Sequence, residues 1–410
     1  MRKKILSYIL IACGFIVAAA AQLPGINIPD HPEGCELPFE YVNRFMVVKI
    51  YLNGFLPCNF IFDTGAEHTI ITKKEISDIL GIQYEKEFKV IGADLKTELI
   101  AYLAKRVHLK FSNDLYSNQD LLVLSEDYMN LDEYTGMQIH GILGADAFSR
   151  GIVKINYEKK KIQLIKSEFF KENLVKYERF PMTVERSKPN IVIHASFSET
   201  MKTPVKLLMD TGANLGLLLY PNDTFGIKIP PKTIRGALGA GLGGKLFGVI
   251  GRINAINIGK YSFGSLACTF QVLDSTNRLA GSTFRNGILG NELLERFHVI
   301  VDYSNQKIYL KPNRNFKVPF KIDRSGISLI ASGTFLNTYT VQYVQQNSPA
   351  DEAGVSIGDV ITKIGWISTN LMSIEELNRR FQGQVGKKIR LTIRKNGQKL
   401  KKTFYLRDLI

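Results

Sequence analysis

The feature that most limits how this chain can fold is that the same landmarks occur in it twice, in the same order. Asp63-Thr64-Gly65-Ala66 returns 147 residues later as Asp210-Thr211-Gly212-Ala213. Gly141-Ile142-Leu143-Gly144 returns 146 residues later as Gly287-Ile288-Leu289-Gly290. Beyond it, one copy runs through Ile152-Val153-Lys154-Ile155-Asn156-Tyr157 and Lys161-Ile162-Gln163-Leu164. The other runs through Val299-Ile300-Val301-Asp302-Tyr303 and Lys307-Ile308-Tyr309-Leu310. Pro38-Phe39-Glu40-Tyr41-Val42 and Pro181-Met182-Thr183-Val184-Glu185 open the two copies. Chance does not hold register over four landmarks. The chain therefore carries an internal duplication of about 130 residues, and each copy is long enough for a one-domain unit.

Each Asp-Thr-Gly ends an apolar run, Phe60-Ile61-Phe62 before Asp63 and Leu207-Leu208-Met209 before Asp210. A carboxylate delivered by an apolar strand into a glycine turn is at least half-buried, and two in matched contexts suggest a symmetric pair. Two carboxyls held together cannot both ionise, so they share one proton. One takes a proton from a water between them while the other donates a hydrogen bond to a scissile carbonyl. Asp63 and Asp210 are the candidate catalytic residues. Thr64 and Thr211 have hydroxyls suited to bonding across the axis, and Gly65 and Gly212 permit tight backbone close to the carboxylates. A single Asp-Thr-Gly is also a common turn; the repeated frame singles these two out.

Asp-Thr-Gly-Ala followed by Gly-Ile-Leu-Gly resembles the retropepsin-like aspartic proteases, and alanine after the glycine resembles the retroviral type. Retroviral-type enzymes place one unit on each chain and dimerise. The resemblance here covers roughly residues 36–312 and both units. It implies a mainly β fold in which two retropepsin-like β-barrel halves, 36–166 and 176–312, form a pseudo-twofold aspartic protease with an intrachain site. There are departures. The retroviral pattern has arginine after Gly-Ile-Leu-Gly, where Ala145 and Asn291 stand. The halves also differ after the shared motif, Glu67-His68-Thr69 against Asn214-Leu215-Gly216, which puts symmetric substrate binding in doubt.

The resemblance also implies a β-hairpin flap that excludes water. Val90-Ile91-Gly92-Ala93-Asp94 and the glycine-rich stretch Gly236 to Gly248 are candidates, with Ile91, Gly92, Gly239 and Gly241 as flap residues. Gly239, Gly241 and Gly244 also satisfy G-x-G-x-x-G, but Leu246 fails the phosphate-loop pattern and the context is strand-like. No cofactor is expected. Nor is a metal, since the six histidines are scattered and H-E-x-x-H is absent.

Locally, Asn53-Gly54 between two strand-like runs predicts a hairpin. Thr72-Lys73-Lys74-Glu75 predicts a capping box opening a helix that Gly81 stops. Short helices are expected at Asp146 to Ser149 and Glu292 to Phe297.

Residues 320–410 carry Asn347-Ser348-Pro349-Ala350-Asp351-Glu352-Ala353-Gly354-Val355 and Ile357-Gly358-Asp359-Val360-Ile361. This string resembles the signature of bacterial PDZ domains, which bind a peptide end or strand at a sheet edge. The resemblance implies an α+β domain with a carboxylate-binding loop at Ser325-Gly326-Ile327-Ser328-Leu329. The groove helix would be Ile374 to Phe381, with Ile374, Leu377 and Phe381 on one face. Ordinary core is an equal reading of that trio.

Arg2, Lys3 and Lys4 precede an apolar run from Ile5 to Ala21, which reads as a secretory signal over residues 1–21. Export to the periplasm or cell surface follows. Leu10-Ile11-Ala12-Cys13-Gly14 also fits a lipoprotein box, a second reading, and an uncleaved anchor is a third. Cys35, Cys58 and Cys268 remain, an odd number, so either a Cys35–Cys58 bridge or reduced thiols are open. The net charge is +15, with a basic run from Lys387 to Lys402 that reads as the solvated face of a hairpin around Asn396-Gly397. Contact with an anionic membrane surface is the weaker alternative, and nucleic acid is not expected of a secreted chain. The partners are thus a polypeptide substrate and a peptide end at the PDZ domain, acting on a monomeric protease unit. A non-enzymatic peptide-binding protein on a degenerate protease scaffold is the rival reading, and a homodimer pairing equivalent halves is a third.

Overall fold

The computed structural model describes residues 25–91, 98–112, 115–198, 201–241, 244–272 and 285–410. The expected signal segment 1–21, with Cys13, and Gly92 lie outside the described residues.

The first half runs β1 (Cys35–Val42), β2 (Phe45–Leu52), β3 (Leu56–Phe62), β4 (Ile70–Ile71) and β5 (Tyr84–Ile91). It continues with β6 (Glu98–Lys110), β7 (Tyr116–Leu124), β8 (Gly141–Leu143), β9 (Ile152–Asn156) and β10 (Lys161–Ile165). The second half repeats the order: β11 (Glu178–Glu185), β12 (Lys188–Ser196), β13 (Lys202–Met209), β14 (Leu217–Leu219) and β15 (Thr233–Gly241). Then come β16 (Gly244–Ile258), β17 (Tyr261–Phe270), β18 (Gly287–Leu289), β19 (Phe297–Asp302) and β20 (Lys307–Pro312).

In each half, the strand leading to Asp-Thr-Gly is flanked by the Gly-Ile-Leu strand in parallel: β3 by β8, with Ile61 opposite Ile142, and β13 by β18, with Leu208 opposite Ile288. The Gly-Ile-Leu strand pairs antiparallel on its other side with β4 or β14. It is thus threaded between two strands, which is why its ends are glycine. A Cβ on Gly144 would lie 2.3 Å from the carbonyl carbon of His68, and one on Gly290 2.3 Å from Leu215 O.

The strands that close each half form one antiparallel sheet across the molecule, in the order β1-β10-β9-β19-β20-β11. β9 meets β19 at its centre, with Ile300 opposite Lys154. The halves are therefore joined within a single chain, over one core in which Phe62 stacks on Phe148 at 4.2 Å.

The PDZ domain has a second, separate core. Its sheet runs β21 (Ile327–Ser332), β22 (Thr338–Val344), β23 (Val360–Ile364), β25 (Lys388–Lys395) and β26 (Gln398–Tyr405), with β24 (Ile367–Ser368) beside β23. β21 is an edge strand, and helix Ile374–Phe381 packs against it. Ser348 caps helix Pro349–Glu352 by accepting from Asp351 N at 3.3 Å. The segment before the domain is pinned to the second half: the Arg296 guanidinium lies 3.7 Å from the Phe320 ring centre, and Phe263 meets both Phe316 and Phe320.

A short helix of the first half, Leu131–Thr135, lies against β21 and also against β15. A Cβ on the following Gly136 would sit 3.2 Å from Ile374 Cγ2 and 4.0 Å from Ala331 Cβ. Gln342 Nε2 donates to Tyr134 Oη at 2.9 Å, Asn43 Nδ2 to Tyr134 O at 2.8 Å, and Lys73 pairs with Asp132 at 2.6 Å. At the other end of the domain, Arg252 Nε of β16 donates to Ile410 O at 3.3 Å.

Several local expectations need correction. No capping box forms at Thr72: its amide is taken by His140 O at 3.0 Å, and helix Lys74–Ile79 starts after Lys73 without a side-chain cap. The capping box is at Ser373, with Glu376 bonded back to the Ser373 amide. The segment after the first Gly-Ile-Leu-Gly is a single 3-10 turn, Ala145–Ala147, and the second a short helix, Asn291–Leu294. All three described cysteines are free thiols, so there is no Cys35–Cys58 bridge; burial pushes Cys35 up to about 12 and Cys58 up to about 11.

Candidate active site

β3 and β8 deliver Asp63, whose amide donates to Leu143 O at 3.0 Å; β13 and β18 deliver Asp210, whose amide donates to Leu289 O at 2.9 Å. The two loops then meet. Thr64 Oγ1 donates to Met209 O at 2.6 Å and accepts from Thr211 N at 3.1 Å. Thr211 Oγ1 reciprocates, donating to Phe62 O at 2.8 Å and accepting from Thr64 N at 3.0 Å. Both threonines have no exposed surface. A buried hydroxyl with donor and acceptor both satisfied is the cheapest polar group to bury and fixes both loops at once.

This lock brings the carboxyls together. A Cβ on Gly65 would lie 2.4 Å from Asp210 Cγ, and one on Gly212 2.2 Å from Asp63 Oδ2. Each carboxylate fills the space left by the other half's missing side chain. Asp63 Oδ1 also accepts from Gly65 N at 2.6 Å and Ala66 N at 3.1 Å, and Asp210 Oδ1 from Gly212 N at 2.8 Å.

Burial pushes Asp63 well above the usual carboxylate range, reinforced by the charge of Asp210 and the hydrogen bond between them. Burial also raises Asp210, but the bond from Asp63, the Gly212 amide and nearby Arg285 oppose the rise. The two carboxyls are thus both held above the usual range, and their protons leave in two steps that belong to the pair, so that one proton is shared between them.

The surrounding shell is not symmetric. Asp146, after the first Gly-Ile-Leu-Gly, accepts from Thr69 N at 3.1 Å and Thr69 Oγ1 at 3.0 Å. In the second half, fully buried Asn291 donates to Thr211 O at 2.6 Å and Arg44 O at 2.7 Å, and accepts from Tyr157 Oη at 2.7 Å. Tyr303, the twin of Tyr157, has no partner for its buried hydroxyl, because Ala145 stands where Asn291 does. Ion pairs cross between the halves, among them Arg44 to Glu292 at 2.7 Å and Arg186 to Glu67 at 3.7 Å.

The remaining sequence-predicted residues fall as follows. Ile91 ends β5, and Gly239 and Gly241 lie in β15, whose partner is β16; both hairpins follow their Asp-Thr-Gly loops at equivalent places. In the PDZ domain, Ile327, Leu329, Leu377 and Phe381 are buried in its core, Leu377 and Phe381 completely. Ser328 is half-buried, and Gly326 takes φ +83° against Ser348. The amides of this loop are already engaged: Ser325 N and Gly326 N donate to Asp323 Oδ1 at 3.0 and 2.6 Å, and Ile327 N to Ser325 Oγ at 3.0 Å. Asn291 and Tyr157 were not foreseen. Their only sequence signal was that Asn291 replaces the arginine of the retroviral pattern.

Two duplicated β halves, matched Asp-Thr-Gly loops and an interlocked carboxyl pair define a pseudo-twofold aspartic-protease fold, followed by a PDZ domain. Family models agree: residues 48–147 match one described as aspartyl protease, and residues 340–395 one described as PDZ domain. The chain is also similar to the crystal structure of Basic 7S globulin from soybean, at 7% identity and a TM-score of 0.43, over 70% of this chain and 95% of that one. No curated protein matches it.

Proposed function

We propose that the chain is an exported aspartic endopeptidase with one active site per chain, built by residues 36–166 and 176–312, and with a PDZ domain at 320–410 that binds peptide segments or governs access. The observation that carries this reading is the packing of Asp63 and Asp210 against each other's glycines. Asp210 takes a proton from a water held between the carboxyls as the water oxygen attacks the scissile carbonyl. Asp63 gives its proton to the carbonyl oxygen, forming a tetrahedral diol. Asp210 then protonates the amide nitrogen, Asp63 recovers a proton from the diol, and the C–N bond breaks. The two hairpins are the parts suited to close over this step. The basic apolar N-terminus supports export, and the pairing of β9 with β19 inside one chain supports a monomeric unit.

The test is hydrolysis of an unfolded protein across pH, with Asp63→Asn and Asp210→Asn assayed separately. Loss of turnover in each, with folding intact, is the expected result. Partial activity in both would move the site to a dimer. No cleavage by the unmutated chain at any pH would favour the peptide-binding reading.

A further inference from the structure

The duplication allows the two walls beside the carboxyls to be compared position by position. Phe45 and Lys188 are twins: each opens its strand after a turn of two left-handed residues, Asn43-Arg44 or Arg186-Ser187, opposite Val42 or Glu185. Val47, opposite Ile61, corresponds to Asn190, opposite Leu208. Ile139 and Arg285 each stand two residues before a Gly-Ile-Leu strand.

In the first half these positions are one closed apolar cluster, with Phe45, Val47, Ile61, Ile139 and Ile142 buried under Met129 and Leu131 and Ala66 packed against them. In the second half, three of the five are polar or cationic: Lys188, Asn190 and Arg285. Lys188 is half-buried and lies within the fields of Arg285, Glu67, Arg186 and Asp210. Arg285 acts on Asp210 in turn. Among the described residues neither cation has a carboxylate in salt-bridge range. Asn190 is 3% exposed, and its Oδ1 has no partner. Its Nδ2 donates to Lys188 O at 3.2 Å.

Two half-buried cations with no carboxylate in salt-bridge range among the described residues, and with Asp210 as a shared neighbour, favour the arrival of a further anion. Lysine under this load drops below its usual range, chiefly by burial and then by Arg285. We propose that Lys188 and Arg285 form an acidic-side-chain subsite on the second-half wall, so that the polypeptide cleaved carries Glu or Asp next to the scissile region. The first-half wall, already filled by its own side chains, offers no such charge. The discrimination is a charge match, and the like-charged competitor is rejected more strongly than a neutral one. This inference rests on the endopeptidase reading above.

The test uses peptide pairs that differ only by Glu or Gln, with that residue moved along both sides of the scissile bond, at about pH 6, where a free Glu side chain is ionised. The expected result is a kcat/KM ratio of roughly tenfold or more in favour of Glu at one position, the factor given by about 1.4 kcal/mol. Lys188→Met with Arg285→Met should bring that ratio near one, with an unfolding midpoint no lower than that of the unmutated chain showing that the fold is kept. Lys188→Glu should turn the preference toward a Lys peptide. A ratio near one in the unmutated chain, or a ratio that the double variant leaves alone, overturns the subsite but not the endopeptidase. If nothing is cleaved, the endopeptidase reading fails on its own, and fluorescence anisotropy of the labelled Glu and Gln peptides decides the subsite. Tighter Glu binding that the double variant removes supports it, and equal binding overturns it.

Discussion

Asp63 occupies the volume that a side chain on Gly212 would need: a Cβ there would lie 2.2 Å from Asp63 Oδ2. The same holds for Asp210 against Gly65. Gly212→Ala must therefore push the Asp63 carboxyl away from its partner. A displacement of this kind costs about a hundredfold in turnover. We expect kcat to fall by at least that factor with KM little changed, measured on any cleaved peptide.

The raised carboxyls set a direction for stability against pH. Asp63 is shifted upward, so the folded chain holds a proton that the unfolded chain releases above about pH 4. The folded state thus loses stability as pH rises through that window toward the folded value. Asp63→Asn removes this loss. Its thermal midpoint should exceed that of the unmutated chain at neutral pH, and the gap should close below about pH 4. A gap that widens on acidification would contradict the assignment.

Thr64 and Thr211 make equivalent bonds, so their loss should cost equally. Each valine substitution removes a satisfied hydroxyl and leaves a buried amide and carbonyl of the opposite loop unpaired. About 2–4 kcal/mol is expected for either, read by denaturant unfolding. A marked difference between the two would mean that one loop, not the pair, holds the interface.

Tyr157 and Tyr303 should behave oppositely despite being twins. Tyr157→Phe leaves Asn291 Oδ1 without its partner and should cost about 1–2 kcal/mol. Tyr303→Phe deletes a buried hydroxyl that bonds nothing and should be neutral or stabilising by about 1 kcal/mol. Chemical denaturation of the two variants side by side checks this.

What could be read from sequence was what repeats or what a turn demands locally. The two Asp-Thr-Gly loops, the Asn53-Gly54 hairpin and the two-residue turn at Asn396-Gly397 follow from residue type and spacing, and the φ values of +51° and +81° at Asn53 and Gly54 show why. The same local logic misplaced the capping box. Thr72 and Ser373 both head a suitable pattern, but Thr72's amide is claimed by His140, a partner 68 residues away that local reading cannot see. The central pairing of β9 with β19 is likewise fixed by tertiary contact. Arg285 is matched to Ile139 by its place before the repeated Gly-Ile-Leu, but the match of Lys188 to Phe45 came only from the strand register.

The helix Leu131–Thr135 rests on the open edge of the PDZ sheet and on the second-half hairpin strand β15. A strand laid along β21 would meet that helix, and the amides of the adjoining loop are held by Asp323. Lys73 and Asn43 tie the same helix to the half that supplies Asp63. Occupancy at the C-terminal domain and the footing of a hairpin beside the cleft are thereby written into the same five residues.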